Sequence, residues 1–258
     1  MNSKTKPFKS KPKLRKYRGD AWRVVESQEA VATSEIVDSF AEQDLLEAML
    51  EAAKPLYRKG TEDLHYLIKT AFRYPPLKHG SRFGTQLMPS YFYASEVFET
   101  ALCETAYYRF LFLEHMQSPY DAPIRSEYSL FKVTVASKNC LDTTTAALNN
   151  VKSQLVDPQS YQYSQSVGQW AAEQEPAIEI IRFFSARQSN AVNLAVAEPK
   201  AIRSRQPREL RQWLCLTRWN SEQPGESSVS FRSRDSADIY EYQRSHFCNA
   251  KGRFLAVK

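Results

Sequence analysis

Segments with the two-residue period of a β-strand alternate along this chain with segments of helical spacing, which restricts the fold to a mixed architecture. Phe131, Val133 and Val135 alternate with polar residues, as in a strand with one buried face. The runs 177–184 and 191–197 flank a turn-prone tetrapeptide and predict a β-hairpin. Helical spacing is found at 41–53, after Thr61, from Ser95 to about His115, and at 158–174. The pattern predicts an α+β domain with a mixed or antiparallel sheet and packed helices.

Glycine is scarce in this chain, and its scarcity excludes two large classes of nucleotide-binding protein. Only seven of 258 residues are glycine, under half of the ordinary share of about 7%. No glycines fall into the spacing GxGxxG or GxxxxGK. A Rossmann or P-loop phosphate site is therefore not expected.

The four cysteines and four histidines show no pattern of a metal site or a disulfide framework. The cysteines lie more than 30 residues apart without a CxxC pair, and the histidines are equally scattered. We therefore expect no bound metal. No stretch approaches the roughly 20 apolar residues of a membrane span, so we expect a soluble protein that stays inside the cell.

Positive charge is concentrated at the N-terminus. Eight of the 35 Lys and Arg residues lie within 1–18, a segment without Asp or Glu, and the remaining residues carry a net charge of −2. The segment has no apolar periodicity, which predicts a basic arm over 1–20 that is disordered or loosely docked. Such an arm serves either as a solubilising tail or as a contact for nucleic acid or an acidic partner.

The residues with the most chemical content lie in three short segments in succession. These are 80–84 (Gly-Ser-Arg-Phe-Gly), 91–95 (Tyr-Phe-Tyr-Ala-Ser) and 100–104 (Thr-Ala-Leu-Cys-Glu). An arginine loop thus leads into a strand and then into a helix in which Glu104 interrupts an apolar stripe. A carboxylate among apolar neighbours must be paired, protonated or used. The structural alternative is that Glu104 pairs with Arg82, Arg109 or another basic residue where the helix packs on the sheet.

The order of these segments resembles the RES domain, a family named for its Arg, Glu and Ser. The resemblance also includes Trp-Arg at 22–23, Phe-Ser-Ala-Arg at 184–187 and a following Asn, and it covers 21 to about 200. Ser81 and Phe83-Gly84 depart from the usual pattern, as does a helical insertion at about 38–75. Residues 201–258 match nothing in the family and are expected to form a β-rich extension packed on the same domain.

The resemblance implies a set of site residues. Arg82, Glu104 and Ser185 would be catalytic, and Tyr93 and Asn193 would bind substrate. The first arginine of the family has two candidates, because Arg23 fits the strand context whereas Arg73 fits the short distance to Arg82.

The resemblance also implies a function. Family members are typically bacterial, cytoplasmic toxins that degrade NAD⁺ on a fold similar to ADP-ribosyltransferases and are neutralised by a cognate antitoxin. We accordingly expect NAD⁺ as substrate, no cofactor, and water or inorganic phosphate as acceptor. The expected partner is an antitoxin of the helix-turn-helix type, through which nucleic acid would be contacted indirectly. Whether the chain forms a homo-oligomer is left open.

Two functions of other classes compete with the enzyme. The basic N-terminal segment suggests a protein that binds nucleic acid or an acidic partner, and this hypothesis predicts salt-dependent binding. The third hypothesis is an inactive RES-like module that only binds a partner. Measurement of NAD⁺ turnover separates this module from the enzyme.

Overall fold

The computed structural model describes residues 7–27, 36–76, 80–118, 120 and 122–257. In the described residues, eight strands form one mixed sheet and are accompanied by five α-helices, which confirms the predicted α+β class. The strands are β1 (Arg15–Glu26), β2 (Phe92–Ser95), β3 (Ile124–Asp142), β4 (Ile180–Phe184), β5 (Val192–Val196), β6 (Glu209–Arg218), β7 (Ser228–Ser233) and β8 (Ile239–Gln243). The helices are α1 (Phe40–Ala53), α2 (Tyr66–Lys69), α3 (Phe98–Glu114), α4 (Lys152–Leu155) and α5 (Gln162–Ala172).

The strands run in the order β1-β2-β5-β4-β3-β6-β7-β8, and β1 also pairs with β3. This second pairing closes β1, β2, β5, β4 and β3 into a ring, from which β6, β7 and β8 extend the sheet. All pairings are antiparallel except that of β3 with β4. The predicted hairpin is confirmed as β4 and β5, and Asn190 in its turn has the positive φ of 59° that asparagine tolerates.

Two helices pack on the sheet and position the site. Helix α3 buries Ala106 and Phe110 in a cluster with residues of β3 and β7. Helix α5 lies so close to the loop before β2 that Gly168 approaches the backbone of Phe83. A Cβ atom at Gly168 would lie 1.8 Å from the Phe83 carbonyl oxygen, which explains the glycine at this contact.

The prediction of a disordered or loosely docked arm over 1–20 is wrong for residues 15–20, whereas residues 7–14 form no helix or strand and residues 1–6 lie outside the described residues. Residues 15–20 form the first half of β1, opposite residues 134–140 of β3. Phe8 is buried, and its ring centre lies 5.1 Å from that of Trp170 in an edge-to-face arrangement. The sequence pattern did not identify this strand, because its Lys and Arg residues are exposed and few of its residues, such as Tyr17, contact the core.

Two helix boundaries also differ from the prediction. Helix α2 begins at Tyr66 and is capped by His65, whereas Thr61 is buried and donates its hydroxyl to the carbonyl of Arg58. Helix α3 begins at Phe98 rather than at a Ser95 cap, because Ser95 is the last residue of β2 and bonds to Asn193. Helix α1 forms as predicted, but none of its residues is buried. In the described part of the chain, no helix is both long and apolar enough to span a membrane.

Candidate active site

A cavity of about 320 Å³ lies where β1, β2, the 81–82 loop and α3 meet. This volume is at the small end of the range of about 300–1,000 Å³ that is usual for small-molecule sites. Five of the seven residues expected from the sequence line it: Arg23, Arg82, Tyr93, Glu104 and Asn193. The topology brings together residues up to 170 positions apart in the chain.

Glu104 points from α3 into this cavity, and two neutral donors hold its carboxylate. Its Oε1 atom accepts hydrogen bonds of 2.6 Å from the Ser185 hydroxyl and 2.7 Å from Nδ2 of Asn193. Among the described residues, Oε2 has no hydrogen-bond partner and Glu104 forms no ion pair. The structural alternative, a salt bridge to Arg82 or Arg109, is therefore wrong. The carboxylate is oriented by its neighbours, but its charge is not neutralised by them.

Asn193 connects this carboxylate to the sheet. It lies on β5 opposite Ser95 of β2, and its Oδ1 accepts a hydrogen bond of 2.7 Å from the Ser95 hydroxyl. That bond sets the amide so that Nδ2 faces Glu104. Asn193 also lines the cavity, so it both orients the carboxylate and contacts the cavity space.

Ser185 lies behind Glu104 instead of lining the cavity. Its oxygen accepts the backbone N–H groups of Arg187 and Gln188, at 3.0 and 3.1 Å, and its hydrogen is donated to Glu104. The hydroxyl is therefore fully used by the protein. The sequence predicts that Ser185 is catalytic, whereas in this geometry its hydroxyl bonds to Glu104 and to the turn of the hairpin and does not line the cavity.

Tyr93 lines the cavity and also holds the arginine loop in place. Its hydroxyl donates to Oγ of Ser81 at 2.9 Å and accepts the backbone N–H of Phe83 at 3.0 Å. Burial raises the pKa of the Tyr93 phenol, so it remains neutral at physiological pH. Ser81 replaces the usual glycine of the motif and supports the same loop by accepting the N–H of Gly84.

Arg82 is a buried guanidinium that bonds to backbone carbonyls. Its Nη1 donates to the carbonyl oxygens of Leu155 and Asp157, at 2.9 and 3.2 Å, and its guanidinium carbon lies 4.8 Å from the ring centre of Tyr161. No carboxylate of the described residues pairs with it. Carbonyls hold the side chain in place but leave its full positive charge for an anion in the cavity.

Arg23 is the second guanidinium of the cavity, on β1. Its Nη1 donates a hydrogen bond of 2.6 Å to the carbonyl of Tyr93, and its Nε is a buried donor without a partner in the described residues. Burial lowers the pKa of Arg23 to about 10, which still leaves it charged at neutral pH. An unpaired buried donor on a cation is costly unless a ligand satisfies it.

Arg73, the other candidate for the first arginine of the family, lies outside the cavity. Its Nη1 pairs with Oε1 of Glu51 at 2.7 Å, its Nε donates to the carbonyl of Pro55, and its guanidinium packs 4.1 Å from the ring centre of Tyr57. It does not line the cavity. Of the two candidates for the first family arginine, the structure brings only Arg23 to the site.

Three further residues of interest were missed from the sequence. Trp22 and Tyr108 line the cavity, and the Tyr108 hydroxyl lies 3.1 Å from that of Tyr161. The position of Tyr108, four residues after Glu104 in the helix, is the signal that identifies it. Arg187 is buried over the ring of Tyr107 with an unpartnered Nη2 atom, and only the folded chain reveals this.

The site as a whole combines an oriented anion with two held cations in one cavity. A carboxylate without a counter-ion can stabilise a positive charge that develops beside it. The two guanidiniums can bind an anionic group of the same ligand. Aromatic rings that line the same cavity can hold a flat cation.

Comparison with protein-family models gives a match to the RES domain over residues 55–217. This range includes Arg82, Tyr93, Glu104, Ser185 and Asn193, whereas Arg23 lies before it. A search of curated proteins gives no significant match. The family match covers more than half of the chain and includes the segments 80–84, 91–95 and 100–104. The chain therefore belongs to the RES-domain family.

Proposed function

We propose that this protein degrades NAD⁺ by cleaving the bond between nicotinamide and ribose. RES domains occur in toxin–antitoxin systems, and the family suggests an NAD-related enzymatic toxin. The observation that carries the proposal is the Glu104 carboxylate, held in the cavity by two neutral donors. A residue with a purely structural role would be expected to pair with a cation, and Glu104 does not.

The pyrophosphate of NAD⁺ accounts for the two arginines. Arg23 and Arg82 line the same cavity and have no carboxylate partner among the described residues. A planar guanidinium binds phosphate oxygens in a bidentate manner without a glycine-rich loop. The unpartnered Nε of Arg23 would gain an acceptor in this arrangement.

The nicotinamide ring accounts for the aromatic residues of the cavity. Nicotinamide in NAD⁺ is a flat cation, and such groups bind over electron-rich rings. Tyr93 and Tyr108 line the cavity and supply such rings, whereas the ring of Trp22 already faces Lys132 and Arg211, at 4.8 and 5.1 Å from its centre. After cleavage the ring is neutral, so this interaction weakens and favours release of the product.

Glu104 would act at the sugar. When the C1′–N bond breaks, its electron pair leaves with the nicotinamide nitrogen, and positive charge develops on C1′ and the ring oxygen. A preorganised carboxylate stabilises this oxocarbenium-like transition state, as in glycoside hydrolysis. Water or inorganic phosphate then bonds to C1′. Water loses a proton in this step, and the free Oε2 of Glu104 is placed to accept it.

Restraint of such an activity requires a partner. We propose that a cognate antitoxin of the helix-turn-helix type covers the mouth of the cavity near Glu104 and Arg82, and that the pair acts in the bacterial cytoplasm. The four cysteines are free thiols, as a reducing compartment allows.

The proposal is tested with antitoxin-free protein and NAD⁺, with release of nicotinamide measured in the presence and absence of phosphate. Glu104→Gln keeps the shape of the side chain but removes its charge, and we expect turnover to fall by at least about 100-fold. Glu99→Gln is the matched control, because Glu99 lies on the same helix but not in the cavity. The absence of nicotinamide release by the unmodified protein under both conditions would refute the proposal and favour the inactive binding module.

A further inference from the structure

A second concave surface lies at the start of β1, away from the cavity. This basic groove has a volume of about 390 Å³ and is formed by residues of β1, β3 and the segment that follows residue 201. Four of its lining residues are cations and none is a carboxylate: Lys16, Arg18, Lys138 and Arg203. The sequence had assigned the first two to a disordered arm, and the function proposed above uses none of the four.

The sheet fixes the relative positions of these cations. Arg18 is paired with Ala136 and Tyr17 with Ser137, so the lysine at 138 follows directly along β3. The bridge between Val135 and Ile202 places Arg203 on the opposite side of β3 from β1. The four charges therefore belong to a rigid surface, and binding to it does not require ordering of a flexible arm.

The charges of the basic groove are exposed and not neutralised by the protein. All four side chains are solvent-exposed, and in the described part of the chain none of them forms an ion pair. Two acids bond to lining residues, and both are paired with other cations. Glu179 accepts a hydrogen bond from the Ser137 hydroxyl at 2.6 Å and is paired with Lys200 at 2.9 Å, and Glu96 accepts one from the Tyr17 hydroxyl and is paired with Arg182. Further cations precede the groove at Lys13 and Arg15, with no acid between them.

We infer that the basic groove binds the phosphate backbone of a nucleic acid. Phosphate contacts need only clustered cations and polar donors, which this surface provides. An acidic protein partner would need buried apolar anchors at the centre of its interface. The remaining lining residues are Tyr17, Ala136 and Ser137, and the hydroxyl of Tyr17 is bonded to Glu96. The lining therefore favours nucleic acid over protein.

This inference is independent of the proposed NAD⁺ chemistry, because the groove and the cavity share no lining residue. Strand β1 nevertheless joins them: Arg18 at the groove and Arg23 at the cavity are five residues apart, or about 16 Å along an extended strand. The groove and the cavity are thus separate surfaces of the same strand.

The test measures binding of the full-length protein to fluorescent oligonucleotides of about 20 nucleotides, single-stranded and duplex, between about 50 and 200 mM NaCl. The groove variant combines Arg18→Ala, Lys138→Ala and Arg203→Ala. The control variant removes the same charge from exposed cations of β6, β7 and the C-terminal turn, through Arg218→Ala, Arg232→Ala and Lys251→Ala. Both variants keep residues 1–6, and equal thermal stability of all three proteins is checked first.

We expect the groove variant to bind less tightly and its slope of log K against log salt to be shallower by about 3, one for each lost phosphate contact. The control variant should bind like the unmodified protein. Equal loss in both variants, or no binding by the unmodified protein at the lowest salt, would overturn the inference. Polyglutamate provides the third comparison. Tighter binding of polyglutamate than of the oligonucleotides, lost in the groove variant but not in the control variant, would show that the surface is a site for acidic protein instead.

Discussion

The hydroxyl of Ser185 donates a hydrogen bond of 2.6 Å to Oε1 of Glu104 and joins the turn after β4 to helix α3. Because two backbone N–H groups occupy the lone pairs of this hydroxyl, its hydrogen can only face the carboxylate. The serine and the glutamate of the family motif therefore act as one unit here, with Asn193 as its third member. The serine sets the position of the acid, and the acid faces the cavity.

Replacement of Ser185 by Ala should reduce kcat for NAD⁺ by up to about 100-fold while KM changes little. The variant releases Glu104 from its set position but removes no cavity-lining group. The lost hydrogen bonds should also lower the free energy of unfolding by about 1–3 kcal/mol. Steady-state kinetics and thermal unfolding measure both effects. Ser185→Thr retains the hydroxyl and should recover most of the turnover. A rise in KM at unchanged kcat would instead assign Ser185 to substrate binding.

The two candidate arginines should respond differently to truncation. Arg23→Ala removes a charged donor from the cavity wall, and since such hydrogen bonds contribute about 1.5–3 kcal/mol, KM for NAD⁺ should rise by at least about tenfold. Arg73→Ala breaks only the contacts to Glu51, Pro55 and Tyr57 and should leave KM unchanged. Titration of initial rates against NAD⁺ concentration decides between them. A rise in KM for Arg73→Ala with no change for Arg23→Ala would contradict the assignment of Arg23 to the site.

Gly168→Ala should displace the loop that carries Arg82, although Gly168 itself does not line the cavity. The added Cβ would lie 1.8 Å from the carbonyl oxygen of Phe83, next to Arg82, so helix α5 or the loop must shift. Overpacking of this kind costs about 1–3 kcal/mol, and displacement of Arg82 should also weaken binding of NAD⁺. Gly225→Ala is the control, because nothing lies within 4 Å of its added Cβ. Chemical denaturation and KM measurements check the pair, and equal behaviour of the two variants would contradict the packing argument.

The cysteines should be poorly reactive in the folded protein. Burial raises the pKa of the Cys103 and Cys140 thiols to about 12 and that of Cys215 to about 11, so at pH 8 these groups are neutral and enclosed. Cys248 is partly exposed, and burial raises its pKa as well. We therefore expect alkylation at pH 8, followed by mass spectrometry, to modify Cys248 at most before unfolding and all four cysteines afterwards. Modification of a second cysteine in the native protein would contradict the burial of these side chains.

The strands and helices near the site could be predicted from the sequence because their patterns are local. The alternation around Phe131 identifies β3, and the turn residues before Ala191 identify the β4–β5 hairpin. The residues of β1 before Ala21 were missed because cations occupy its exposed face, and a charged, half-exposed strand has the same composition as a disordered arm. This segment becomes a strand because it pairs with β3, which lies more than 100 residues further along the chain.

The sequence by itself determined the α+β class, the family and the presence of Glu104 on an otherwise apolar helical stripe, because periodicity and motif order are properties of neighbouring residues. Only the tertiary structure decided that Arg23 rather than Arg73 reaches the cavity, that Ser185 supports Glu104 from behind, and that the basic segment becomes a rigid surface. Those outcomes depend on contacts between distant segments. Such contacts arise when the sheet closes and the buried groups find their hydrogen-bond partners, and no local pattern contains that information.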